Sequence, residues 1–454
     1  MLDVIVVGGG IAGLSCAWRL AGRGQNLLLL EANPQPGGNI RTYESEGYRF
    51  ENGPHSFMGS ADDVFDLAEE CELGSQVTGT RPQAKTRFIA RYGRIHQAPD
   101  GPLSFLTTGL LTLGGKLRLM TEPLRLERGD IKDSAQTFFE RRFGPEATDI
   151  LIGAFISGVY AGDPRLLSAA AAFPLFWQFE VDSGSMIRGA YGWMQRRKAE
   201  RVAQGRPVRK GLFAFEKGMG QLTAGVAAKL GDRCRLGTPV ESIQRSGEGF
   251  SVKMANGTGE TFSARKLVLA VPPPEASRLT LSMNPSLAGL LAGIPMAPIA
   301  VVHLGFEQRC SEVPDGFGFL VPRSEGIRSL GVLFPSRLFE GRAPEGGDLL
   351  AGFVGGMLDP KALDLNDEDL ASIVTNDLRN LIQLEQKPSF VRVLRYSHAI
   401  PQFVSGHLER MKSIQLDLQS LPGLQLAGNY LRGVGVKDAV RSGFDAADSI
   451  APGM

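Results

Sequence analysis

The chain has 454 residues, 43% of them hydrophobic, and its 49 basic side chains stand against 48 acidic ones. That length accommodates two or three domains with substantial cores, and a formal net charge of +1 excludes both a disordered polyelectrolyte and a globally cationic surface suited to nucleic acid. Cys16, Cys71, Cys234 and Cys310 are far apart and lack metal-ligand spacing, so they read as reduced thiols in a cytosol-like compartment, and no metal site is expected.

Leu2 already opens the first predicted strand, with no basic leader before it, so neither a signal peptide nor a presequence is expected. Residues 2–7 are apolar and largely β-branched, and they run into Gly8, Gly9, Gly10, Ile11, Ala12 and Gly13 and then a helical pattern. In this strand, turn and helix Gly8 makes the tight turn, Gly10 admits a pyrophosphate to the backbone, and Gly13 packs helix on strand. The apolar run 27–30 ends at Glu31, followed by Ala32, where a carboxylate accepts hydrogen bonds from ribose hydroxyls. An adenine dinucleotide is the first expectation.

A second glycine pair, Gly37 and Gly38, precedes Asn39, and Gly53, Pro54, His55 and Ser56 follow a Tyr-Arg-Phe-Glu-Asn run. With these segments the chain resembles the flavin amine oxidase superfamily, in which both wrap the flavin's ribityl chain and pyrophosphate. The resemblance implies FAD.

Further on, the nucleotide-binding pattern returns in pieces. A helix opens at 218–222, strands are expected at 236–243, 250–254 and 266–271, and a last strand at 424–428 leads through Gly433, Val434, Gly435 and Val436 into a helix to Ile450. The expected fold is therefore α/β. A Rossmann-like FAD-binding domain is discontinuous over 1–80, 205–280 and 415–454, interrupted by a mainly helical insert at 85–205 and an α+β substrate-binding domain at 280–415. In the latter, strands are expected at 301–306, 317–321 and 349–354 and a helix at 367–384 capped by Asn366. The uncharged stretch between Arg278 and Glu307 is broken by Pro295 and Pro298, so it reads as a short helix and a buried strand rather than a membrane span.

Within the superfamily, Ser157-Gly158-Val159-Tyr160-Ala161-Gly162-Asp163-Pro164 and the stretches at 184–189, 316–322, 400–407 and 433–438 resemble the protoporphyrinogen oxidase family, in order and from end to end. The resemblance implies FAD-dependent oxidation of protoporphyrinogen IX to protoporphyrin IX in haem or chlorophyll synthesis, through hydride transfers to flavin. It places residues 8–13, Glu31, Ala32, Gly38, Asn39, Gly53 to Ser56, Val240, Val434, Gly435 and Val436 at the cofactor. It places Arg87 against a propionate and Gly158, Phe317, Gly318, Leu320, Leu333 and Phe353 around the macrocycle. Relatives acting on coproporphyrinogen III tend to lack the arginine at position 87, which favours the dicarboxylic substrate. Coproporphyrinogen oxidation, an amine oxidase or carotenoid desaturase, and a flavin-containing porphyrin carrier are the rival readings.

No side chain is expected to be catalytic, because the flavin carries the chemistry. No second GxGxxG follows a strand, so a second domain binding NAD(P)H is not expected; the resemblance implies O2, reduced to hydrogen peroxide, as the acceptor, with a quinone as the alternative. Residues 101–115 are uncharged and apolar and are followed by Lys116, Arg118, Arg125 and Arg128, a pattern for peripheral membrane contact whose alternative is a buried helix pair. The basic run at 196–210 reads as a solvated loop. The expected location is cytoplasmic, at a membrane surface; a homodimer and hand-over of product to a chelatase stay open.

Overall fold

The structure is a computed structural model, and it describes residues 1–452 except 204, 256 and 258. Two seven-stranded sheets organise it. The first is built on Leu2–Val7, which pairs in parallel with Leu27–Leu30 on one side and Thr261–Leu269 on the other. Cys234–Arg235 extends one edge, the antiparallel strands Gly249–Met254 and Val240–Ser246 extend the other, and Leu424–Leu426 pairs in parallel with Thr261–Leu269. Val4, Ile5 and Val6 are wholly buried, because helices cover one face and the antiparallel strands with their helices the other.

Helix Ile11–Gly22 crosses from the first strand to the second. Its Leu14, Cys16, Ala17 and Leu20 are fully buried, each large side chain contributing roughly 1.5–3 kcal/mol. Helix Val436–Ile450 lies against it so closely that a Cβ on Gly443 would stand 2.1 Å from the Ala12 carbonyl oxygen. Gly220–Leu230 packs on its other side.

The second sheet runs Phe390–Pro401, Met296–Phe306, Asp348–Gly355, Ser329–Leu333, Gly318–Leu320, Arg87–Arg91, Arg94–Gln97. One face is closed by helix Asp367–Ile382, whose Leu370, Val374, Leu378 and Leu381 recur at helical spacing and are buried. Asn366 caps this helix, its Oδ1 accepting from the Asp369 amide at 2.8 Å, and three acidic residues in the first turn oppose the positive end of the dipole.

The helices between 102 and 203 form a third unit. Arg142 is completely buried at its centre, donating to Glu180 at 2.5 Å and to the Arg125 and Gly184 carbonyls, while buried Glu122 accepts from Ser185 at 2.6 Å. Charges removed from water are tolerable only when paired and hydrogen-bonded in this way.

Three boundaries differ from the sequence expectation. Residues 87–97 are a hairpin of the second sheet rather than part of the helical insert, because Arg87–Arg91 finds a parallel partner in Gly318–Leu320, more than 200 positions away. Helices Pro285–Ala292 and His407–Gln419 pack with the antiparallel strands of the first sheet, so that unit reaches past 280 and begins before 415. The strand expected at 236–243 starts at Val240, after Pro239.

Candidate functional site

Gly8 has φ +107°, and an added Cβ would sit 2.4 Å from the Ala270 carbonyl oxygen; at Gly13 it would sit 1.9 Å from the Gly8 oxygen. Both glycines are therefore required by the protein's own packing. Gly10 differs: an added Cβ would meet nothing within 4 Å. It caps helix Ile11–Gly22 with no side-chain bond, and no acidic residue occupies the first turn. The first-turn amides of Ile11, Ala12 and Gly13, which have no intrahelical acceptor, follow this open position with the helix dipole behind them, a ready anion site.

Glu31 stands beside this turn, buried, its Oε2 accepting from the Gly9 amide at 2.6 Å and its Oε1 from Asn33. Two carboxylate oxygens offer about four lone-pair sites. A ribose hydroxyl can still be accommodated, and Ala32 beside it is exposed. On the opposite wall the Gly37 amide donates to Gly9 O at 2.7 Å, and Gly38 lies so close that its Cβ would be 3.3 Å from the Gly10 Cα. Gly53 lies against the Asn39 carbonyl, so segments 38–39 and 53–56 form one wall. Val240 is buried at the start of its strand, and Val434, Gly435 and Val436 are half-buried ahead of the last helix, where Asp438 caps Gly435 at 3.1 Å. Loop, ribose acceptor and second glycine wall fit a dinucleotide.

Strand register groups the predicted substrate residues. Directly paired residues share a face and alternate residues return to it. Arg87 pairs with Gly318, Gly318 with Leu333, Leu333 with Ala351, and Ala351 with His303. The adjoining row on the same face is Ile89, Leu320, Gly331, Phe353, Val301 and Leu394. This face is the one turned away from helix Asp367–Ile382, whose Val374 abuts Gly352 in the intervening row. Leu320, Leu333 and Phe353 are half-buried there, and Gly158 of helix Ala154–Tyr160 leaves room for Leu320, whose Cδ2 an added Cβ would meet at 2.2 Å. Arg87 is exposed, its guanidinium 5.7 Å from the Phe317 ring, and no carboxylate lies within 4 Å of it among the described residues. The motif at 157–164 anchors the helical unit to this sheet: Gln402 donates to Tyr160 O at 2.8 Å, and Ala161, at φ +47°, accepts from the Met357 amide at 2.8 Å.

Sequence reasoning missed the contacts joining the two walls. The Tyr396 hydroxyl donates to Asn52 Oδ1, and Asn52 Nδ2 to Gly38 O at 3.4 Å. His55 is buried, its ring 6.1 Å and edge-on to Phe353 and 6.1 Å from the His303 ring. Burial, then the neighbouring His303 and Arg342, holds the His55 imidazole well below the usual histidine range. Burial pushes His303 down to about 4, against the pull of its bond to the Glu51 carbonyl. Alternation in the strand Phe390–Pro401 was the signal for Tyr396; for His303 it was a lone histidine in an otherwise apolar run.

A dinucleotide cradle on a mostly parallel sheet, facing a second sheet across a glycine-lined wall, defines a flavin-dependent oxidoreductase. The family model for flavin containing amine oxidoreductase matches residues 11–451, and the chain belongs to that family. It is 32% identical to the chloroplastic protoporphyrinogen oxidase of Nicotiana tabacum, over 99% of this chain and 85% of the relative. It is 30% identical to the coproporphyrinogen III oxidase of Bacillus subtilis (strain 168), over 97% and 96%. A solved structure from Exiguobacterium sp. 255-15 bearing the protoporphyrinogen oxidase designation superposes with a TM-score of 0.83 at 26% identity, over 99% of this chain and 98% of that one. FAD is the family's cofactor.

Proposed function

We propose that this chain oxidises protoporphyrinogen IX to protoporphyrin IX in tetrapyrrole synthesis, with O2 as the final acceptor. The observation that carries this reading is the sheet face on which half-buried Leu320, Leu333 and Phe353 adjoin Arg87, an arginine with no carboxylate partner among the described residues. An apolar macrocycle with acidic side arms needs that combination of greasy wall and marginal cation. When bound, FAD supplies the hydride acceptor. The residues at 8–13, Glu31 and 38–39 hold its dinucleotide end, the stretches at 53–56 and 434–436 flank it, and Phe353 with Leu320 and Leu333 orients the substrate and keeps water from it.

Coproporphyrinogen III is the second reading, favoured by the relatives that carry that name. One experiment separates them: anaerobic addition of each porphyrinogen to the FAD-loaded protein, followed by flavin absorbance. Faster bleaching by protoporphyrinogen is expected. Faster bleaching by coproporphyrinogen overturns the assignment, and bleaching by neither overturns the enzyme reading in favour of a porphyrin carrier.

The proposal extends to the membrane surface. No helix among the described residues is long and apolar enough to cross a bilayer. Leu103, Leu106, Leu113, Leu117, Leu124 and Leu126 are all more than half exposed, which supports peripheral contact. Leu110 and Leu111, expected to share that contact, are buried against Ile89 and Ala154 instead. Pairing of two copies and hand-over of product to a chelatase belong to the same proposal, and sedimentation of the purified protein, alone and with a chelatase, reads both.

A further inference from the structure

Glu51, His55, His303 and Arg342 form a buried polar cluster, and beyond the place of His55 in the stretch flanking the flavin the function proposed above gives it no task. His303 is completely buried, with Nε2 3.1 Å from the Glu51 carbonyl oxygen. A carbonyl only accepts, so Nε2 carries the hydrogen and Nδ1 holds a lone pair. That lone pair is shut off from solvent and has no partner among the described residues. Of the two ring nitrogens of His55, Nε2 is the one similarly sealed and unpartnered, on a ring whose centroid lies 6.1 Å from that of His303.

An unpartnered acceptor facing an unpartnered nitrogen is better matched when the second carries hydrogen than when two lone pairs confront each other. This assigns the hydrogen of His55 to Nε2 and leaves a lone pair on Nδ1. Arg342, paired with Glu51 at 3.7 Å and donating to Phe215 O at 3.1 Å, keeps positive charge beside the pair and so opposes protonation of His55 in the resting state. The ring meanwhile stands edge-on to Phe353, at the join between the dinucleotide wall and the apolar sheet face.

We propose that Nδ1 of His55 accepts the pyrrole N–H proton released as the porphyrinogen is oxidised. The inference rests on the functional reading above. In each two-electron round a bridging-carbon C–H bond breaks and its electron pair leaves as hydride to the oxidant, the flavin. In two of the three rounds the positive charge left behind spreads to an adjacent pyrrole nitrogen; its N–H bond breaks, the pair stays on nitrogen, and the proton passes to His55. In the remaining round the proton leaves the fourth bridging carbon, whose C–H pair stays to form the last double bond, so one hydride and one proton leave per round and four C–H and two N–H bonds break in all. The N–H of such a cation is strongly acidic, so even an imidazole whose basicity is lowered by burial is a suitable acceptor. Reoxidation by O2 to hydrogen peroxide consumes one proton, which returns the ring to neutral.

Two measurements test this on FAD-loaded protein. The first is nitrogen NMR of ring-labelled histidine at pH 7.5, where His55 is one of only five histidines. A neutral ring with hydrogen on Nε2 is expected; hydrogen on Nδ1, or a doubly protonated ring, overturns the proposal whatever any variant does. The second is anaerobic flavin bleaching by porphyrinogen in His55→Gln and His55→Ala. Both are expected to slow about 10²-fold or more with porphyrin binding unchanged, and added imidazole should restore rate to His55→Ala alone. Bleaching within threefold of the parent, with FAD retained, overturns it. If the variants lose FAD, the NMR result decides. Failure of the parent protein itself to bleach refutes the functional reading instead, so the two failures are distinguishable.

Discussion

Lowering the pH from 7.5 to 5.0 should weaken the fold through His303, and replacing that residue should remove its share of the loss. Burial holds the folded pKa at about 4, against an unfolded value of about 6.5. Because the folded value lies below the unfolded one, the unfolded chain binds more protons between these two values. Stability is then flat above about pH 7 and falls as the pH drops through 6.5 toward 4. At pH 5 the linkage amounts to about 2 kcal/mol for this one ring, a factor of roughly 30 in the folded-to-unfolded ratio. His407, stacked at 4.4 Å on Phe403 and likewise held at about 4 by burial and then by Arg410, adds a contribution of the same sign. Urea unfolding of the parent and of His303→Gln, each at pH 7.5 and 5.0, isolates the effect, since glutamine keeps a donor for the Glu51 carbonyl but does not titrate. The variant is expected to lose about 2 kcal/mol less than the parent between the two pH values. Equal losses in the two proteins would refute the reasoning.

Other perturbations separate packing from chemistry. Gly13→Ala drives a Cβ to 1.9 Å from the Gly8 carbonyl oxygen, a backbone atom that cannot turn aside, so FAD content should collapse and stability fall by about 1–3 kcal/mol. Gly158→Ala meets only the end of the Leu320 side chain, so the fold and FAD content should survive while the Michaelis constant for porphyrinogen changes. Arg87→Ala should raise that constant by up to about tenfold and leave flavin absorbance unchanged, since the exposed guanidinium loses much of a charge-assisted contact to solvent; unchanged kinetics would remove Arg87 from the site. Aspartates at the exposed Leu106 and Leu117 should abolish co-sedimentation with anionic liposomes without loss of FAD, and persistent sedimentation would move the contact elsewhere.

How much was legible in advance depended on how local the cause was. The first strand, glycine turn and helix make many of their contacts among residues 2–30, including the pairing with Leu27–Leu30 and the approach of Gly13 to Gly8, so their letters carry much of their structure, although Gly8 also answers to distant Ala270. Asn366 announced its helix for the same reason, a cap bond to a residue three positions on. The hairpin at 87–97 was lost because only its distant partner Gly318–Leu320 makes it part of a sheet. Leu110 was misplaced because an uncharged run does not say which of its residues face inward; Ile89 and Ala154 decide that. His303 and Arg342 reach the candidate site only through sheet register and a buried ion pair with Glu51, neither of which leaves a spacing to read.

The first sheet also has a history during synthesis. Its central strand Thr261–Leu269 pairs with Leu424–Leu426, and helix Val436–Ile450 closes on a helix made from residues 11–22. A ribosome adding about 5–20 residues per second needs on the order of 20 to 80 s to travel from the second strand to the last. Throughout that interval the apolar face of helix Ile11–Gly22 lies open to any neighbouring chain, and once residue 269 has been added one edge of Thr261–Leu269 lies open as well. Burial of that face and edge therefore waits on residues 424–450, which close the sheet and its covering helix after most of the chain has been made.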